Sequence, residues 1–218
     1  MSENNQSDKP KLLQAIELIL AKPEDIQIEA EALLEAFKKR HQGKTEYEVR
    51  DLAAKKIISN YSYFCAFSGG ATALTGIIPG LGTAIAMFGG ATADVALTMK
   101  FQIEMTMALA TIYGHDITIE EEKRLCFLIA GLGTINEAAK EGGKAMTSKA
   151  FIKMAQQYLK GSTLVAVKEV FKKVGVTFTR KALEKSIPFG VGVIIGYSAN
   201  KGISVYVGNK ANAFFKAE

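Results

Sequence analysis

Between Ile57 and Ala93 the chain runs for thirty-seven residues without one charged side chain, with Pro79-Gly80 inside the run. Few features constrain a fold more, because so long an uncharged run must be buried in protein or placed against lipid. Read as two helices meeting at Pro79-Gly80, it is an apolar hairpin. As a helix, the first arm, Ile57 to Ile78, is twenty-two residues long, enough at about 1.5 Å per residue to reach across a ~30 Å hydrocarbon core. Composition points the other way, since the arms are mostly Ala, Gly, Ser and Thr with scattered Ile, Leu and Phe, and Asn60 and Asp94 lie at the edges. A soluble core hairpin and a membrane-inserting one both satisfy the pattern.

The rest of the chain reads as helical. Four prolines, no Trp and Ala, Leu, Lys and Glu at helical spacing predict an all-α protein, a compact helical bundle around this glycine-rich apolar hairpin. At 218 residues there is length for one core, with residues 1–44 forming N-terminal amphipathic helices and 45–218 the main helical domain of a single structural unit. The opening residues MSENNQSDKP are polar and show no basic-then-apolar leader, so the expected location is the cytoplasm. Cys65 and Cys126 lie in apolar surroundings without metal-type spacing and read as reduced core residues.

Taken in order, Lys11 to Lys22 is a short helix stopped by Pro23, which opens the next with Glu24 and Asp25 in its first turn. That helix finishes on Lys38, Lys39, Arg40 and His41 before Gly43. Thr45 and Glu48 form a capping-box pattern at the start of the helix leading into the hairpin, and Thr118 and Glu121 form another. Between these, the second arm resumes at Leu81 and continues to Tyr113, with Gly114 as its terminating residue. Gly142-Gly143 ends the helix after it. Residues 144–160 and 163–174 are basic amphipathic helices that suit either a membrane surface or the outside of a bundle, and a further helix precedes Pro188.

Two helices carry small residues every four positions. Gly82, Ala86, Gly90 and Asp94 form one such row, and Gly192, Gly196 and Asn200 form the other. Faces of this kind allow close helix approach, so the two rows are expected to pack together and to bring Asp94 near Asn200. The alternative is that Asp94 reaches solvent at a helix edge.

The net charge of +5 is uneven: residues 140–185 carry a net +8, while 94–139 carry a net −4. The basic block suits anionic headgroups or a solvated helix face; with no zinc, RNA-binding sheet or compact Arg motif, nucleic acid is not an expected partner. An enzyme reading finds little. There are only His41 and His115, no glycine-rich loop is followed by the Lys-Ser/Thr of a phosphate-binding loop, and Gly131-Leu132-Gly133 is too short for a dinucleotide fingerprint. No catalytic residue, metal site or cofactor is expected.

Ile78-Pro79-Gly80-Leu81-Gly82, Asp94, Tyr113-Gly114 with Asp116, and Ile187-Pro188 with Gly192, Gly196 and Asn200 together resemble the EcsC family over roughly residues 45–215. The family's bacterial members are named after a gene accompanying an ABC transporter; the hairpin style is also similar to the YcjF-like membrane-associated proteins that accompany GTPases. The resemblance implies a helical, hydrophobic, membrane-associated protein without an established activity, and it supplies no catalytic residues. The expected function is non-enzymatic: a protein peripheral to the cytoplasmic side of the inner membrane, its hairpin docked or inserted and its basic block on anionic lipid, regulating a membrane partner such as a transporter or GTPase. A soluble helical interaction module and a conditional pore-forming protein are the alternatives.

Overall fold

The computed structural model describes residues 11–67, 73–140 and 197–217. Those residues form helices α1 (Lys11–Ile19), α2 (Pro23–Arg40), α3 (Glu46–Phe67), α4 (Leu81–Phe88), α5 (Gly90–Ile112), α6 (Glu120–Lys140) and α7 (Tyr197–Ala217), joined by turns. The protein is all-α, and α5 is its axis: it packs against each of the other six. From Met99 to Ile112 every residue of α5 is buried, its apolar side chains lying on all sides of the helix.

Local sequence accounts for the boundaries. Pro23 sits at the first position of α2, where its missing N–H costs no helical hydrogen bond, and Glu24 and Asp25 follow in the first turn. Thr45 and Glu48 make a reciprocal capping box at α3: the Thr45 amide donates to Glu48 Oε2 at 2.9 Å and the Glu48 amide to Thr45 Oγ1 at 3.3 Å. At the end of α5 the His115 amide donates to the Ala110 carbonyl and the Gly114 amide to that of Thr111, with Gly114 at φ +96°. This is a Schellman termination, which explains Tyr113-Gly114 structurally. Thr118 does not cap α6 as expected. Its amide and hydroxyl both donate to Asp116 Oδ1, at 3.0 and 2.6 Å, and α6 begins with the Lys123 amide bonding back to Ile119.

The hairpin differs from the two-armed reading. Its first arm does not stay helical to Ile78: α3 is described to Phe67, and Leu74 to Gly80 form a turn. The second arm breaks at Gly89, whose φ of 84° and ψ of 155° are essentially confined to glycine. Gly82 and Ala86 therefore sit on α4, Gly90 and Asp94 on α5, and the four-residue row does not form one continuous face. With eight residues, α4 is about 12 Å long and too short to cross a bilayer. Pro79-Gly80 does form the turn: Gly80 is left-handed at φ +79°, and a Cβ there would lie 2.6 Å from the Leu18 carbonyl oxygen of α1.

α7 is antiparallel to α3 and parallel to α5. Lys201 Nζ lies 3.7 Å from the ring centroid of Tyr63 near the end of α3, and Lys216 meets Asp51 at 3.1 Å near its start. Lys55 and Lys216 hold the Asp51 carboxyl below its ordinary range through their hydrogen bonds. Midway, Gly208 faces both other helices: a Cβ there would lie 2.8 Å from Ile58 Cγ1 and 2.9 Å from Met105 Sδ. Both neighbours are buried, at 5% and 0% exposure, so neither has room to retreat.

These glycines on α7 make opposite predictions for one substitution. Alanine in place of helical glycine ordinarily gains about 0.5–1 kcal/mol, and Gly202→Ala, with nothing within 4 Å of its new Cβ, is expected to raise stability by that amount. Gly208→Ala is expected to lower it by about 1–3 kcal/mol, the usual cost of forcing extra volume into a packed core. Urea unfolding followed by circular dichroism measures both.

Candidate functional site

Two features rise above ordinary packing: a buried polar cluster on α5 and an exposed uncharged surface at the hairpin turn. The first begins with the only charges on α5 beyond Asp94, Lys100 and Glu104, spaced four apart and therefore on one face. Lys100 Nζ donates to Glu104 Oε1 at 2.6 Å, with the side chains 10% and 5% exposed. The same Oε1 accepts the Ala21 amide at 2.8 Å, so the pair also ties the α1–α2 connection to the core helix. Lys100 Nζ lies 4.9 Å from the centroid of Phe101, which stacks on Phe64.

Other polar groups share this level of the bundle. Gln102 Nε2 donates to Ser204 Oγ on α7 at 3.3 Å, and Cys65 Sγ lies 3.8 Å from the Thr98 carbonyl. Burial pushes the Cys65 thiol up to about 12 and, helped by the Glu104 charge, raises the Tyr61 phenol. Burial likewise raises Cys126. Both cysteines are thus held as thiols, poor nucleophiles at neutral pH. A lysine and a carboxylate neutralised by each other, beside unionised thiol and phenol groups, form a structural tie between helices.

Of the expected site residues, only some lie among the described ones. Asp94 is half-buried, and its backbone carbonyl accepts from Thr98 Oγ1 at 3.1 Å. Asn200 belongs to α7, but its side chain, Gly192, Gly196 and the basic stretch from 141 to 185 lie outside the described residues. Among the described residues, nothing comes within 4 Å of a Cβ on Gly82 or Gly90. Among the described helical glycines the close approach is at Gly208, and the deeply buried carboxylate is Glu104. Tyr113 donates from its hydroxyl to Asn212 Oδ1 at 2.8 Å. His115 Nδ1 is 3.1 Å from Glu122 Oε2, with its ring against Phe215, while the adjacent Asp116 is engaged by Thr118. Neighbours in sequence, His115 and Asp116 thus have different partners.

The second feature lies at the turn. Every exposed residue described from 73 to 91 is Ala, Gly, Thr, Pro, Ile or Met. Ile77 is 75% and Met87 63% exposed. Leu18, also exposed, adjoins the turn, with its side chain 3.3 Å from the Cβ position of Gly80.

Compared with protein-family models, the chain matches the EcsC protein family over residues 6–217. The chain belongs to the EcsC family. The EcsC match starts ahead of α1, so it takes in both N-terminal helices as well as the hairpin and α7. Neither the curated proteins nor the solved structures contain a match to this EcsC chain.

The Lys100–Glu104 tie is measurable. Lys100→Met leaves a buried carboxylate without its cation and is expected to cost about 3–5 kcal/mol. Adding Glu104→Gln removes the charge while keeping an acceptor for the Ala21 amide, and the double variant is expected to recover most of that loss. A urea-unfolding cycle on the two single variants and the double checks this; simple additivity would show the pair to be uncoupled.

Proposed function

We propose that this EcsC protein is a non-enzymatic factor that associates peripherally with the cytoplasmic side of the membrane and regulates a partner there, such as a transporter or GTPase. The observation that carries the reading is the exposed uncharged surface of the turn and α4, with Ile77 and Met87 held out to solvent. Soluble monomers place isolated apolar side chains on their surfaces; here every exposed residue described from 73 to 91 is uncharged, a composition that suits docking. The sequence adds the net +8 over residues 140–185, where each Lys or Arg near an anionic leaflet is worth about 1 kcal/mol.

The attachment is peripheral because the apolar mass that could span is already used. Among the described residues α5 alone is long and apolar enough to cross a bilayer, and its most apolar window is 89% buried inside the bundle. The same burial favours a second reading, a soluble helical interaction module in which the surface at the turn meets a protein. A conditional pore would require α5 to leave the other six helices and to carry the Lys100–Glu104 pair into lipid, which is costly even for a neutralised pair.

Fractionation of the expressed protein separates these readings. Recovery in the membrane pellet, partial release by high salt and full release by alkaline carbonate is the expected result. Resistance to carbonate would mean an integral protein, and recovery wholly in the soluble fraction would favour the interaction module.

A further inference from the structure

We infer that the surface formed by the turn and α4 recognises loosely packed, electrically neutral bilayer, where acyl chains are exposed between headgroups; this rests on the membrane reading above and specifies what part of the membrane is read. Peripheral elements bind through apolar area, through attraction of basic residues to anionic lipid, or both. No residue from Ile57 to Ala93 is charged, so this surface has only the first route.

The residues around Ile77 and Met87 decide the kind of bilayer. They are small, and a Cβ built on Gly76, Gly82, Gly89 or Gly90 would meet nothing within 4 Å. The surface therefore presents two large apolar side chains on a low background of Gly, Ala and Thr. It lacks the basic side chains that gather anionic headgroups and the bulk that would part tightly packed ones. Insertion is favoured where packing defects already leave acyl chains open, the condition that makes amphipathic elements sensitive to curvature and lipid composition.

The surface is also set before binding. Gly80 holds the turn through its left-handed conformation and its close seat on the Leu18 carbonyl, and the Ala84 amide bonds back to the Gly80 carbonyl at 2.8 Å. Little ordering is left to be done on contact. With α4 about 12 Å long, the element reaches interfacial depth and no further. A protein partner fits less well, because interface cores are enriched in aromatic residues, Met and Arg, and of these the exposed side chains from 73 to 91 include Met87 alone.

The test is co-flotation of the full chain with unsaturated phosphatidylcholine vesicles, small and strongly curved or large and nearly flat, each with and without phosphatidylserine, at low and high salt. The expected result is stronger binding to small than to large vesicles even without phosphatidylserine, and this curvature-dependent part persists at high salt. Ile77→Ser and Met87→Ser are each expected to weaken that binding roughly tenfold, on the area each exposes. Both side chains are exposed, so the helical circular dichroism of the variants should match the parent. Equal binding by parent and doubly substituted protein would overturn the assignment of this surface. Binding only to phosphatidylserine vesicles, lost in high salt, would overturn the inference while leaving membrane association intact. Flotation with no vesicle at all would remove the membrane reading itself and point to a protein partner.

Discussion

A helix buried on all sides cannot carry unpaired charge, and this protein meets that constraint with one ion pair inside α5. Lys100 and Glu104 lie a turn apart, nearly excluded from water, and share an oxygen with the Ala21 amide. An unpaired carboxylate or ammonium at this depth would be several kcal/mol less stable. With the two together, α5 can run through the centre of the bundle, contact every other described helix and still fix the α1–α2 connection by a directional bond. The other polar groups at the same level are paired as well, so the core is specified by hydrogen bonds in addition to apolar area.

Burial of α5 determines what the rest of the molecule can offer. Among the described residues, the helix long and apolar enough to span a bilayer is consumed by the core, and the uncharged stretch before it is left to make a turn, a short helix and a surface. Glycines at 80 and 89 break that stretch through conformations other residues rarely adopt. Among the described residues the outcome is an apolar turn and a short helix on a packed body.

Much of the fold was legible in the sequence. Pro23, the Thr45/Glu48 pair and Tyr113-Gly114 each act through local chemistry, and the structure places their helix boundaries accordingly. Helical periodicity gave the all-α class for the same reason. The hairpin was harder, because a four-residue row of small side chains implies one face only while the backbone stays helical, and the Gly89 backbone dihedrals end that continuity. Of the candidate site, Asp94 drew attention as the charge that closes the row, whereas the buried carboxylate is Glu104. The signal was present: Lys100 and Glu104 are the only charges from residue 95 to Tyr113, and they are four apart. Gly208 could not have been singled out, since its crowding comes from Ile58 and Met105, distant in sequence.

Hydrogen–deuterium exchange of the full chain, free and bound to neutral curved vesicles, tests the central claim most directly. The account predicts new protection confined to residues 73–91, with the amides of α5 and of Ala21 equally slow in both states. Loss of protection in α5 and at Ala21 on binding would contradict it, since that would mean that the bundle opens and its core helix, in place of the turn, enters the membrane.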